Sequence, residues 1–162
     1  MTLPEYIKQT RTTDLVNTVK HAALGLISEV GEVYGVLAKI ERGDKIDQAE
    51  RMTGELGDVA WYLARLWTLL EIPADRIRFT ERKPIFSLHI YLQETQTTAL
   101  GFAANGFVVE CTRHQAALRE WGAWTAACRV EGLDPLTVLE SNLAKLRDRA
   151  ARKVLQGDGD HR

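Results

Sequence analysis

Two short segments carry the chemistry that this chain can offer. Glu29 and Glu32 in "SEVGEVYG" (residues 28–35), and Glu55 and Asp58 in "TGELGDVAWY" (residues 53–62), are acidic pairs at a spacing of three. On a helix, residues three apart hold their Cβ atoms roughly 5–6 Å apart, so each pair can grip one cation and two facing pairs can hold two. Without a cation, four clustered carboxylates repel, lose hydration, and in part stay protonated. The donors are hard oxygens with no ExxH partner and no cysteine nearby, which favours Mg²⁺, or Mn²⁺, over iron or zinc. Magnesium keeps waters and shares its shell with phosphate, so the expected substrate is phosphorylated. Taken singly, either pair reads as a solvated helix face, because glutamate forms helices well and charges normally point to water. Two pairs in phase with apolar stripes on consecutive helices, each enclosing a glycine (Gly31, Gly57), read as a metal site. An interior glycine costs a helix about 1 kcal/mol relative to alanine, and close backbone approach is the simplest gain to offset it.

The elements that must position these acids are helical by period. Asp14 is the expected cap of a first helix whose apolar positions Leu15, Val19, Ala22, Leu26, Val33, Val36 and Ile40 step by three and four, ending near Gly43. On this stripe Glu29 is the missing member and faces inward, with Glu32 one turn further on the same side. Asp47 and Glu50 form a capping-box-like start to a second helix, with Met52, Leu56, Val59, Leu63, Leu66 and Leu70 as its stripe and Ile72-Pro73 as its stop. The two helices are expected to pair as an antiparallel hairpin. Residues 84–104 read as a third helix, with a strand as the alternative because "IFSLHIYL" is rich in β-branched and aromatic residues. Gly106 separates it from a fourth over residues 109–130, Gly132 ends that one, and Asp134-Pro135 opens the fifth. The expectation is one all-α domain over residues 1–162: a bundle of five helices around one core.

Composition narrows the function classes. With 162 residues, 45% of them hydrophobic and 27% charged, the chain is long enough for one sizeable core. Twenty-one basic against 22 acidic residues leave a formal charge of −1, so no basic field points to nucleic acid or to an anionic membrane as partner. Nowhere do about 18 apolar residues run together, and the first fourteen residues have no continuous apolar h-region. Cys111 and Cys128 form no disulfide framework and read as small buried hydrophobes. A soluble cytoplasmic protein is the expectation.

With the motifs in place, "HAALGLISEVGEVYGVLAK" (residues 21–39) and "ELGDVAWYLARL" (residues 55–66) resemble the ExxE and ExxD signature of the MazG-like all-α nucleotide pyrophosphatases. That group's relatives include dimeric dUTPases, dCTP pyrophosphatases and phosphoribosyl-ATP pyrophosphatase. "NLAKLRDR" (residues 142–149) is similar to the family's NxxKLxxR on the helix that closes the active site, and "EYIKQTRTT" (residues 5–13) to its lead-in. The resemblance covers roughly residues 3–70 and 134–162. It departs in the long segment between Asp58 and Asn142, which reads as an inserted helical pair over residues 84–131, acting as a stand-in for helices that simpler relatives borrow from a partner subunit, as a lid, or as an oligomer contact.

The resemblance implies a Mg²⁺-dependent pyrophosphohydrolase cleaving an NTP or dNTP to the monophosphate and pyrophosphate, as nucleotide-pool house-cleaning by a homo-oligomer, a dimer or tetramer. Glu29, Glu32, Glu55 and Asp58 would ligate the metal, with Glu32 and Glu55 catalytic and Glu32 the chosen general base. Asn142, Lys145 and Arg149, on one side of the last helix, would contact the sugar or phosphates and stabilise the departing pyrophosphate. Lys39 would add a phosphate contact, and Tyr62 would stack on a base. Trp61 reads as core, His21 as a plain core or surface histidine, and "CTRH" around His114 as no nucleophile motif. The tail "QGDGDHR" reads as a frayed terminus, although Asp160 or Arg162 in a "GxGDxR"-like ending could fold over the nucleotide. A phosphoribosyl-nucleotide or a (p)ppGpp-type alarmone is the alternative substrate, and a non-catalytic helical metal-binding or interaction module the alternative class.

Overall fold

A computed structural model describes residues 1–13, 16–73, 87–104 and 110–152. Among them lie six α-helices and no strand: α1 Leu3–Thr10, α2 Val19–Glu41, α3 Gln48–Leu69, α4 Leu88–Ala103, α5 Glu110–Val130 and α6 Pro135–Ala151. The all-α expectation holds, with six helices in place of five. The additional one is α1, where Thr2 and Glu5 satisfy each other's backbone N–H groups in a capping box. The cap of α2 also differs from expectation. Thr18 accepts from the His21 N–H at 3.1 Å and the helix begins at Val19, while Asp14 and Leu15 lie outside the described residues. Asp47 and Asp134 cap α3 and α6 as read, each accepting at 2.9 Å from the backbone N–H three residues on. Gly43 and Gly132, with φ of +81° and +73°, end α2 and α5 in the left-handed region that glycine enters without strain.

From Leu88 onward the strand alternative is overturned. Tyr91, Leu92, Thr95, Thr98, Ala99 and Phe102 recur at three and four and are buried along α4, so packing outweighs the strand propensity of the short aromatic run. Residues 84–86 and Gly106 lie outside the described residues.

Packing places α3 in the middle, against α1, α2, α5 and α6, while α4 lies along α2. The α2–α3 hairpin is antiparallel: Gly25 abuts the Tyr62 ring, whereas Glu29, a turn later on α2, meets the charges of Asp58 and Glu55, earlier on α3. The buried apolar side chains form one contiguous cluster to which the expected inserted pair contributes Tyr91, Leu92 and Phe102 from α4 and Trp121 and Trp124 from α5. At its centre Trp121 meets the edges or faces of Tyr6, Trp67 and Trp124 at centroid distances of 6.5, 6.4 and 5.6 Å, within the range where aromatic quadrupoles attract. The Trp124 indole N–H donates at 2.9 Å to the Leu56 carbonyl, tying α5 to α3 inside the acidic segment. Among the described residues no helix is long and apolar enough to cross a membrane.

Because Trp121 joins α1, α3 and α5, Trp121→Ala is expected to lower unfolding stability by about 3–5 kcal/mol in a urea titration. A loss below about 1 kcal/mol would contradict the central place of this ring cluster.

Candidate metal centre

Three of the four predicted acids converge. Glu29 from α2 and Glu55 and Asp58 from α3 each present a carboxylate oxygen, and the three oxygens lie within 4.8 Å of one another. All three side chains are half-buried at the α2–α3 seam. The inward orientation expected of Glu29 needs correction by one residue: Val30 completes the buried stripe Ala22, Ala23, Leu26, Val30, Val33 and Val36, and Glu29 sits beside it. A carboxylate at the rim keeps part of its hydration, which one in the core would lose. Glu32 is exposed and stands outside the three-oxygen cluster, although its charge is felt by both Glu29 and Glu55.

The fourth wall of the cluster is α6. Asn142, which is buried, donates its side-chain N–H to Asp58 Oδ1 at 2.8 Å, and the Lys145 ammonium lies 2.5 Å from Asp58 Oδ2. Gly57 is what lets α6 come this close, since a Cβ there would stand 3.0 Å from the Asn142 Cβ. The close-approach argument thus holds for Gly57, but the gain lies between α3 and α6. For Gly31 it fails, because a Cβ there would meet nothing within 4 Å. Behind Asn142, the buried Tyr6 hydroxyl on α1 donates to Asn142 Oδ1 at 2.8 Å.

Electrostatics follows from this crowding. The Glu29 carboxyl is pushed up to about 8, first by burial and then by the charges of Asp58 and Glu55, with Lys145 pulling the other way. Burial and Asp58 raise Glu55 as well, again opposed by Lys145. The Tyr62 phenol is raised by burial and by Glu29 and Asp58, and burial holds the Tyr6 phenol in its protonated, donating form.

Tyr62 is half-buried beside the acids, its ring so close to the α2 backbone that a Cβ at Gly25 would overlap it. Trp61 is buried edge-on to Tyr62 at 4.9 Å, in keeping with its reading as core. Arg149 is half-buried one turn beyond Lys145. Lys39 is exposed in the last turn of α2, about 15 Å further along the axis than Glu29, and so stands away from the acids. His21 is exposed on the first turn of α2. Cys128 is a free, buried thiol that burial keeps protonated. The side chains of Cys111 and His114, and Asp160 and Arg162 of the tail, lie outside the described residues.

The chain matches no protein-family model, no curated protein and no solved structure. The site is therefore read from its own geometry. Sequence reasoning passed over Tyr6 and Gly25. For Tyr6 the available signal was the Thr2/Glu5 capping pair followed by Leu3, Tyr6, Ile7 and Thr10, a short amphipathic turn pattern.

Three carboxylates facing one ammonium leave an excess of negative charge that either a proton or a metal cation can neutralise. Without metal, the raised Glu29 carboxyl contributes to the pH dependence of stability. With its pKa raised from 4.5 to about 8 in the folded chain, the stabilisation from this group is fully present below pH 4.5 and is lost as pH rises to about 8. In EDTA, the melting temperature of wild type is therefore expected to fall relative to that of Glu29→Gln as pH is raised from 5 to 8. Parallel curves for the two proteins would contradict the perturbed carboxyl.

Proposed function

We propose that this chain is a Mg²⁺-dependent nucleotide pyrophosphohydrolase of the MazG-like all-α type, cleaving an NTP or dNTP to the monophosphate and pyrophosphate. The observation that carries this reading is the convergence of Glu29, Glu55 and Asp58 from two helices, with Asn142 and Lys145 of a third helix set against them.

The donor set fits the cation. The cluster offers only carboxylate oxygens, the ligands of hard divalent ions, and burial together with the charges of Asp58 and Glu55 pushes the Glu29 carboxyl up to about 8. Glu29, Glu55 and Asp58 would hold Mg²⁺, or Mn²⁺ in its place. When bound, the ion supplies charge neutralisation to the phosphates and acidifies a coordinated water. Glu32, exposed one turn from Glu29, would accept a proton from the solvent side as general base, and Glu55 would combine ligation with a catalytic role. Lys145, already in the cluster as an ammonium on Asp58, exchanges that partner for substrate phosphate, with Arg149 on the next turn and Asn142 assisting. Tyr62, backed by α2 at Gly25, offers an aromatic surface for a nucleobase. Lys39, exposed in the last turn of α2, lies too far along the helix for a phosphate contact at the acids. A homo-oligomer acting on cytoplasmic nucleotide pools belongs to the same reading.

Pyrophosphate release over a panel of NTPs, dNTPs and alarmones, with and without Mg²⁺, tests this directly. Hydrolysis is expected on at least one (d)NTP and only with the metal. Glu55→Ala is expected to abolish it with helicity retained by circular dichroism. Turnover unchanged in Glu55→Ala, or equal in EDTA, would defeat the assignment.

A separate expectation concerns Lys145. Lys145→Met removes the ammonium that opposes substrate charge, and is expected to lower kcat/KM about 100-fold or more while Mn²⁺ still binds. Full activity in this variant would remove Lys145 from the substrate site.

A further inference from the structure

The acidic cluster is held from behind by a hydrogen-bond chain that begins on α1. The hydroxyl of Tyr6, a residue with no exposed surface, lies 2.8 Å from Asn142 Oδ1, and Asn142 Nδ2 lies 2.8 Å from Asp58 Oδ1. Chemistry sets the direction of both bonds. The Asp58 carboxylate, paired through its other oxygen with the Lys145 ammonium, accepts; Asn142 must therefore turn its N–H₂ group towards it. That leaves the amide oxygen to Tyr6, whose hydroxyl must donate. The opposite amide orientation would set two acceptors against each other at Asp58 and leave a buried N–H₂ facing the phenol. Gly57 lets Asn142 sit this close to Asp58, since a Cβ there would stand 3.0 Å from the Asn142 Cβ and 3.3 Å from its Nδ2.

We propose that Tyr6 is a positioning residue of the metal centre: by fixing which way Asn142 points, it aims Asp58 at the cluster formed with Glu29 and Glu55. The role rests on the reading of that cluster as a cation site. Tyr6 touches neither metal nor substrate and acts only through Asn142. It makes α1, which contributes no acid, part of the machinery, in the way that partners behind a metal's direct ligands hold those ligands at the distances the ion requires. Each donated bond also polarises the next, so the chain presents Asp58 with a stronger donor than an isolated amide.

The test is calorimetric titration of Mn²⁺ into the full chain, with Tyr6→Phe removing the hydroxyl and nothing else. Tyr6→Phe is expected to weaken Mn²⁺ binding by about tenfold, the lower end of the loss seen when such supporting partners are removed. In an Asn142→Ala background, Tyr6→Phe is expected to have no further effect on affinity, because the link it acts through is gone. A merely structural tyrosine would lower the melting temperature and leave Mn²⁺ affinity within twofold of wild type; that result would overturn the positioning role while leaving the metal site standing. Absence of Mn²⁺ binding in wild type would overturn both. Should Tyr6→Phe not fold, NMR of the wild-type protein decides. The Asn142 side-chain N–H₂ signals are expected to exchange slowly with solvent and to shift when Mg²⁺ is added, and signals that do not move would overturn the role.

Discussion

Three carboxylates gathered at the rim of an apolar core, with one ammonium among them, set the electrostatic problem that the rest of the structure answers. Like charges about 4 Å apart repel by roughly 4 kcal/mol each at the effective dielectric of a protein surface, too much for helix packing to ignore. Metal-free, the chain has two remedies in view: the Glu29 carboxyl keeps its proton into the neutral range, and Lys145 and Asn142 occupy both oxygens of Asp58. A divalent cation would replace the first remedy and release part of the second. A cation would thus turn three mutually repelling oxygens into a ligand set.

That cluster is held on a stiff frame. Glu55 and Asp58 flank a turn of α3 whose Leu56 carbonyl accepts the Trp124 indole N–H from α5 and whose Gly57 receives Asn142 from α6. The turn is thereby gripped from two further helices, while the Tyr6–Trp121–Trp67 contacts behind it bind α1 and α5 to α3. Repulsion among the acids cannot relax by splaying the helices without opening this aromatic core, so the charge is retained at the seam. Packing energy distant from the acids is what holds them together.

Much of this was legible in the chain because period and composition are local properties. The acidic spacing, the apolar stripes of α2 and α3, the Asp47 and Asp134 caps and the all-helical class follow from residues within one or two turns of each other. The phase of Glu29 was not settled by that pattern. Leu26, Glu29, Val33 and Leu26, Val30, Val33 are both three-and-four steps, and only the desolvation penalty of a carboxylate chooses the second. The same small rotation carries Glu32 out to solvent. α1 escaped notice because eight residues hold too few repeats to reveal a period, and the start of α2 because Asp14, the stronger capping residue by type, stands only four positions before Thr18, which caps the helix. Contacts such as Tyr6 with Asn142, 136 residues apart, leave no trace in periodicity at all. They arise only when α1 and α6 meet α3.

The most direct measurement of the central claim is the proton count that accompanies cation uptake. Burial and the neighbouring carboxylates push Glu29 up to about 8 in the metal-free chain, and a ligating carboxylate must be deprotonated, so binding is expected to expel a proton. Calorimetric titration of Mn²⁺ in buffers of different ionisation enthalpy is expected to show close to one proton released per cluster near pH 7, fading towards none above pH 9. Mn²⁺ uptake without proton release at pH 7, or no uptake at all, would contradict the account.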